Sequence, residues 1–330
     1  MVDQAGCPLF GDEEDCAIRL GISTCLLGEE VRYDGGHKLD RFLVNTLGAY
    51  VEWVPVCPEV EIGLSVPREA MRLVGDPENP RLVTNKTAQD YTERMQTWAR
   101  ERVEQLAKLN LHGFVLKKDS PSSGLERVKV YDANGVPRRA GRGIFAREVL
   151  NRFPLLPLEE EGRLHDMHLR ENFIDRVFAH YRWTRLLEKN PTPGGLVEFH
   201  TAYKMTLMAH SPSHYQEMGR LVAQAGSLPW EELTETYSRS LMEGLQVMTT
   251  PGKHANVLQH LMGFLKESLT GEDKAELLGY IEDYRKELAP LIVPLTLLKH
   301  HLSRHPVPDW AHQQVYLHPY PKELLLRNHV

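Results

Sequence analysis

Three short apolar runs, each ending in a polar loop, constrain the fold of this chain more than any other feature. Gly113-Phe114-Val115-Leu116 opens into Lys117-Lys118-Asp119-Ser120-Pro121-Ser122-Ser123-Gly124. Ala17 to Ser23 opens into Thr24-Cys25-Leu26-Leu27-Gly28, and Val51 to Val56 into Cys57-Pro58-Glu59. Apolar runs of this length bounded by Gly, Pro and Ser read as strands, and Phe42, Leu43, Leu47 and Tyr50 fit a short helix between two of them. Strand, loop, helix and strand in this order predict an α/β domain with a largely parallel sheet, whose working loops lie at the carboxyl ends of the strands. If the three strands are neighbours, Cys25, Cys57 and position 123 converge on one crevice.

The rest of the chain divides around that motif. Residues 87 to 109 carry Tyr91, Met95, Trp98, Val103, Leu106 and Leu109 near a 3.6-residue period, which predicts a long amphipathic helix covering one sheet face. Val128 to Tyr131 reads as a strand, Asp132-Ala133-Asn134-Gly135 as a turn, and Gly141-Arg142-Gly143 as a tight turn before a helix starting near Ile144. Gly141-Arg142-Gly143 lacks the further glycine and the distant acid of a dinucleotide fingerprint. Pro154 to Gly162, proline-rich and then acidic, reads as a domain boundary, and Leu164 to Leu187 as a connecting helix. From Leu196 onward the pattern is helical, with breaks near Pro212, Pro229, Pro251, Gly271 and Pro290. The expected organisation is an acidic leader over 1–16, the α/β domain over 17–158, a connecting helix and linker over 159–195, and an all-α C-terminal domain over 196–330.

Composition narrows the functional classes. A net charge of -6 over 330 residues excludes nucleic-acid binding by bulk attraction, so any such contact needs a local patch. One segment supplies it: Lys117 to Arg147 holds eight Lys or Arg against Asp119, Glu126 and Asp132. No signal-like start and no long apolar run occurs, so a soluble, cytoplasmic protein without a membrane partner is expected. Four cysteines, Cys7, Cys16, Cys25 and Cys57, are too few and too unevenly spaced for a disulfide framework. Cys7 and Cys16 read as free thiols in the leader, and Cys25 and Cys57 as buried small hydrophobes or metal ligands. Fourteen of the sixteen histidines lie from His165 onward. They read as surface or partly buried side chains, since Pro212 breaks the spacing of His210 and His214.

Three thiolates spread around a cavity would suit an iron-sulfur cluster better than structural zinc, which favours local Cys-x-x-Cys or Cys/His pairs. Read alone, Glu59 fits either a general base or a turn-capping carboxylate, and Ser120 either a substrate contact or a Ser-Pro turn.

The residues also carry a resemblance. Ser23-Thr24-Cys25-Leu26-Leu27-Gly28, Arg32-Tyr33-Asp34-Gly35-Gly36, Val56-Cys57-Pro58-Glu59, Gly63-Leu64, Pro67-Arg68, Leu116-Lys117 and Ser120-Pro121-Ser122 resemble the motif set of the thiouracil desulfurase family over about residues 17 to 150. Phe199 to Lys204, Met208 to Pro212, Asn256 to His260, Pro290 to Leu295 and Pro319-Tyr320-Pro321 resemble a YbgA-like helical domain. Chains joining the two are similar to the desulfidases that remove 4-thiouridine sulfur from tRNA.

The resemblance implies a [4Fe-4S] cluster held at Cys25, Cys57 and the position of Ser123, with one iron open to a thiocarbonyl sulfur. It implies Glu59 as the base activating water and Ser120 as a substrate or proton contact, in a hydrolysis without redox. Arg68, Lys117 and Lys118 are then the expected substrate contacts. Arg138, Arg139, Arg142, Lys204 and Lys299 are the expected contacts to a tRNA partner carrying thiolated uridine. Desulfuration of free thiouracil and a cluster-free RNA-binding or regulatory role are the alternatives. The family motif reads Ser-Pro-Ser-Cys-Gly, whereas this chain has Ser120-Pro121-Ser122-Ser123-Gly124. A serine alcohol stays protonated near neutral pH and ligates soft metals far less well than a thiolate. A Cys→Ser variant, a natural weakened site, or replacement by Cys7 or Cys16 would each account for the difference.

Overall fold

The structure, a computed structural model, describes residues 17–329; Cys7 and Cys16 lie outside the described residues. The chain divides into two units between Asp166 and Met167.

The first unit is built on two four-stranded sheets. Its strands are β1 (Ile18–Ser23), β2 (Val51–Val56), β3 (Met71–Val74), β4 (Arg81–Thr84), β5 (Gly113–Leu116), β6 (Val128–Tyr131), β7 (Pro137–Gly141) and β8 (Leu158–Glu160). One sheet is wholly parallel in the order β2-β1-β5-β8, with Ile18 opposite Val51 and Leu20 opposite Gly113. Leu20, Ile22, Val115 and Leu116 are fully buried, which accounts for continuous rather than alternating apolar runs in these strands. Gly21 faces Phe114 across the pair, where a Cβ would lie 2.2 Å from the ring, so only glycine fits there.

Helices α1 (Pro58–Glu61), α2 (Thr92–Ala107) and α3 (Ile144–Arg152) complete this unit. α2 and α3 bury Leu106, Phe145 and Val149 in the same cluster as Phe114, with the Phe145 ring 5.3 Å from Trp98 and 5.9 Å from Phe114. α2 begins at Thr92 rather than at 87, because residues 81–90 are committed elsewhere. Val83 bridges to Asp90, and the Asp90 carboxylate accepts the Thr92 N–H at 2.8 Å. The expected helix around residues 42 to 50 is a π-turn, Phe42–Thr46, running into a 3₁₀ turn, Leu47–Ala49.

Two features depart from the sequence reading. The second sheet, β4-β3-β6-β7, was foreseen only at β6; β3 and β4 are four-residue strands, and β7 carries Pro137, Arg138 and Arg139, an exposed composition atypical of strands. The proline-rich, acidic stretch expected to separate domains contains β8, paired with β5 through Phe114 opposite Leu158 and Leu116 opposite Glu160. Its acids are structural rather than solvated. Buried Glu160 accepts the N–H groups of Leu125 at 2.9 Å and Glu126 at 3.3 Å, and Glu159 pairs with Arg163 at 2.7 Å.

The second unit is helical: α4 (Met167–Lys189), α5 (Pro193–His210), α6 (Pro212–Val222), α7 (Trp230–Gln246), α8 (Pro251–Met262), α9 (Gly271–Arg285), α10 (Ile292–Arg304) and α11 (Asp309–His312). The breaks at Pro193, Pro212 and Pro251 are helix starts. Thr192, Ser211 and Thr250 cap the three helices with their hydroxyls, and proline fills a first-turn position whose N–H needs no helical partner. α9 begins with a reciprocal capping box between Thr270 and Asp273. Leu258, Leu261, Leu277, Ile281 and Leu298 form the core. Among the described residues no helix is long and apolar enough to cross a membrane.

Two predictions follow from packing and burial. At Gly143 a Cβ would lie 2.4 Å from the carbonyl of Ser122, the group that accepts the Phe145 and Ala146 N–H bonds at the start of α3. Gly143→Ala should cost about 1–3 kcal/mol, read as a lowered urea midpoint. In the helical unit, burial holds His200 down at about 4 and His254 well below the ordinary imidazole value, each ring bonded to a tyrosine hydroxyl, of Tyr237 and Tyr316. The unfolded chain protonates these rings below about pH 6.5 while the folded chain keeps them neutral. Their stability contribution is complete above pH 6.5 and falls as pH drops towards 4. Urea unfolding should therefore weaken across that window by on the order of 2–3 kcal/mol from His200 alone, with a flatter profile in His200→Gln.

Candidate functional site

The parallel sheet places the ends of β1, β2 and β5 side by side, and their loops line a cavity of about 440 Å³. Cys25, Cys57 and Ser123 all line it, together with Glu59, Arg68, Lys117, Lys118 and Ser120. Ten candidate positions named from sequence thus resolve into eight that meet here, and others that do not. Arg138 and Arg139 stand exposed on β7, with Arg139 paired to Asp119 at 3.0 Å. Arg142 donates to the Leu125 carbonyl at 2.9 Å and borders a separate cavity with Arg127 and Arg147. Lys204 and Lys299 belong to the helical unit: Lys204 Nζ sits 3.2 Å from the centre of the Trp310 ring, and Lys299 Nζ donates to the Leu317 carbonyl at 3.3 Å.

Each cysteine owes its position to local geometry. Cys25 lies in the 3₁₀ turn Thr24–Leu27 after β1, where its carbonyl accepts the Lys38 N–H at 2.8 Å. Cys57 caps α1, with Pro58 at the first helical position, and its N–H donates to Glu61, itself paired with Arg102 at 3.0 Å. Both thiols are pushed upward by burial, Cys25 to about 11 and Cys57 to about 12, the nearby Glu59 carboxylate adding to the second. In the protein alone both are thiols, and the Cys57 Sγ lies 3.7 Å from Glu59 Oε2 as a donor. A coordinated metal would reverse that preference.

The loop after β5 turns at Asp119, which adopts a left-handed φ of 58° tolerated by a short polar side chain. It presents three serines in succession. Ser122 Oγ donates to Glu59 Oε1 at 2.6 Å and lies 3.0 Å from Ser120 Oγ, while Ser120 Oγ accepts the N–H groups of Ser122 and Ser123 at 3.3 and 3.1 Å. Ser122 is fully buried. Sequence reading passed over it, because its partner Glu59 is 63 positions away and nothing local marks that contact. The cations are also more engaged than their spacing implies. Arg68 donates to the Val31 carbonyl at 3.0 Å and lies 3.9 Å from Glu59 Oε2, and the Lys117 ammonium pairs with Glu161.

The donors present offer a soft metal group two thiols and, at the third wall, the buried hydroxyl of Ser123, which is 3% exposed. They fit such a group at Cys25 and Cys57 and only weakly at Ser123. No group of three or more His, Cys, Asp or Glu side chains placed to hold a metal ion occurs among the described residues.

Comparison with known proteins agrees with this division. Residues 20–161 match the family described as 2-thiouracil desulfurase, and residues 204–321 match a family described as a protein of unknown function, DUF1722. The uncharacterized protein YbgA of Escherichia coli K12 is 30% identical over 161 residues, 48% of this chain and 94% of YbgA. The uncharacterized protein YbbK of Bacillus subtilis 168 is 32% identical over 111 residues, 31% of this chain and 71% of YbbK. A solved structure of a [4Fe-4S]-dependent thiouracil desulfidase, TudS, is 29% identical and aligns with 47% of this chain and 97% of its own, at a TM-score of 0.38. The chain therefore belongs to the 2-thiouracil desulfurase family through its α/β unit, to which it joins a YbgA-like helical region.

Proposed function

We propose that this protein hydrolyses the C=S bond of a thiolated uracil, with 4-thiouridine in tRNA as substrate, and that it does so around a [4Fe-4S] cluster. The observation that carries the reading is the placement of Glu59 beside Cys57 in the cavity that Cys25 and the Ser-rich loop also line. Cys25 and Cys57 would hold the cluster, with Ser123 as its weak third point. When bound, such a group supplies a Lewis acid for the thiocarbonyl sulfur, drawing electron density from the carbon.

The chain's own residues supply the rest. Glu59 takes the proton of the attacking water, and the half-buried site limits competition from bulk solvent. Ser120, cradled by two backbone N–H groups, orients the pyrimidine edge, and Arg68 and Lys118 at the cavity wall attract its anionic surroundings. The exposed arginines Arg138 and Arg139 on β7, in the one clearly basic segment, support a polynucleotide substrate over a free base. They would contact phosphate, joined by Arg142 and, from the helical region, Lys204 and Lys299.

The test is anaerobic reconstitution with iron and sulfide, followed by sulfide release from 4-thiouridine tRNA and from free 4-thiouracil. Release from tRNA at the higher kcat/KM is expected; release from the free base alone moves the substrate to thiouracil. Binding of tRNA without release from either favours a cluster-free RNA-binding role. Glu59→Gln should lower kcat by about 10²–10⁴-fold, and retention of full rate would remove Glu59 as the base. Ser123→Cys should raise bound iron per chain, and equal loading of the two forms would show that the third wall does not limit cluster binding.

A further inference from the structure

We propose that Ser122 is a positioning residue that joins Ser120 and Glu59 into one proton-transfer chain, so that the water's proton reaches Glu59 through two serine hydroxyls. The proposal rests on the desulfuration reading and adds a route to it.

Hydrogen-bond polarity gives the direction. A serine hydroxyl has one proton, and that of Ser122 is directed at Glu59 Oε1, 2.6 Å away, an oxygen that accepts. Ser122 Oγ can then act only as an acceptor towards Ser120 Oγ at 3.0 Å, so the Ser120 hydroxyl donates to Ser122. The chain runs from Ser120 to Ser122 to Glu59. Ser120 Oγ meanwhile accepts two backbone N–H groups, which stabilise the negative charge that grows there as its proton departs.

Burial decides which members meet the substrate. Ser120 and Glu59 line the cavity, whereas Ser122 is fully buried behind its wall and closed to solvent. The other Glu59 oxygen faces the Cys57 thiol at 3.7 Å and Arg68 Nη2 at 3.9 Å. The short, well-formed contact of the carboxylate is therefore the one to Ser122, and a water bonded to Ser120 reaches the base without touching it.

The step balances. One O–H bond of water breaks as its oxygen bonds to the thiocarbonyl carbon, and the C=S π pair moves to sulfur. The released proton passes to Ser120 while the Ser120 proton moves to Ser122 and that of Ser122 to Glu59. On collapse the C–S bond breaks, and sulfur leaves with the bonding pair, taking the proton held on Glu59 and the one left on the incoming oxygen. One water is consumed and one hydrogen sulfide is released, with no electron transfer.

The experiment uses the full chain, anaerobically reconstituted, with 4-thiouracil as the probe. Ser122→Ala should lower kcat about 100-fold with KM within about twofold and with bound iron unchanged, and the solvent deuterium effect on kcat should change from that of the unsubstituted chain. In a Glu59→Gln background, Ser122→Ala should cost almost nothing more, because the two act as a unit. Ser122→Thr, which keeps the hydroxyl, should recover to within about tenfold of the original rate. The relay is overturned by full activity in Ser122→Ala, by fully additive losses in the double variant, or by a loss that appears only in KM or in iron content. Absence of sulfide from both the unsubstituted chain and Ser123→Cys overturns the desulfuration reading itself, before Ser122 is substituted.

Discussion

The parallel pairing of β1 with β2 on one side and β5 on the other is the constraint from which the site follows. Parallel strands end on the same edge of a sheet, so three loops far apart in sequence open onto one cavity. The pairing depends on close packing at its centre, where Gly21 admits the Phe114 ring and Phe114 in turn packs against Phe145 of α3. α3 starts on the carbonyl of Ser122, so the helix that covers the core also holds the back of the Ser-rich loop. Core packing and the placement of the serines are two aspects of one set of contacts.

Within the cavity, a carboxylate, two thiols and three hydroxyls share a small, partly desolvated space. Burial keeps both cysteines protonated in the protein alone, and the Glu59 charge reinforces this at Cys57. The arrangement is consistent with thiols that release their protons only to a bound metal group. Ser123 breaks the pattern. Its hydroxyl occupies a buried wall position where a thiol would complete a soft donor set, and a hydroxyl gives iron a weaker hold. The Glu59–Ser122–Ser120 network does not depend on that residue's sulfur, so the proton-handling part of the site is complete where the metal-holding part is not.

Much of the fold was legible because burial writes itself into residue type. β2 and β5 coincide with their apolar runs and β1 starts one residue inside its own, and the proline breaks of the helical region are helix starts capped by Thr or Ser. The misreadings have physical causes. Pro154 to Gly162 has the composition of a linker, but Glu160 is acidic because buried backbone N–H groups of Leu125 and Glu126 need an acceptor there. β7 was missed because an exposed strand carrying Arg138 and Arg139 shows no apolar alternation. Helix α2 was drawn too long because periodicity cannot see the Val83–Asp90 bridge that ends the preceding strand region.

By itself the sequence determined the strand-loop units, the parallel α/β class, the helical second half, and the residue types able to do chemistry at Cys25, Cys57, Glu59 and Ser120. Those follow from local composition and spacing, which act over a few residues. Tertiary structure alone decided that the loops share one cavity, that Lys117 is paired to Glu161 and Lys299 held by a carbonyl, and that Ser122 connects to Glu59. A hydrogen bond between positions 59 and 122 exists only because two strands lie side by side in a third dimension, and no local pattern in either segment records the other.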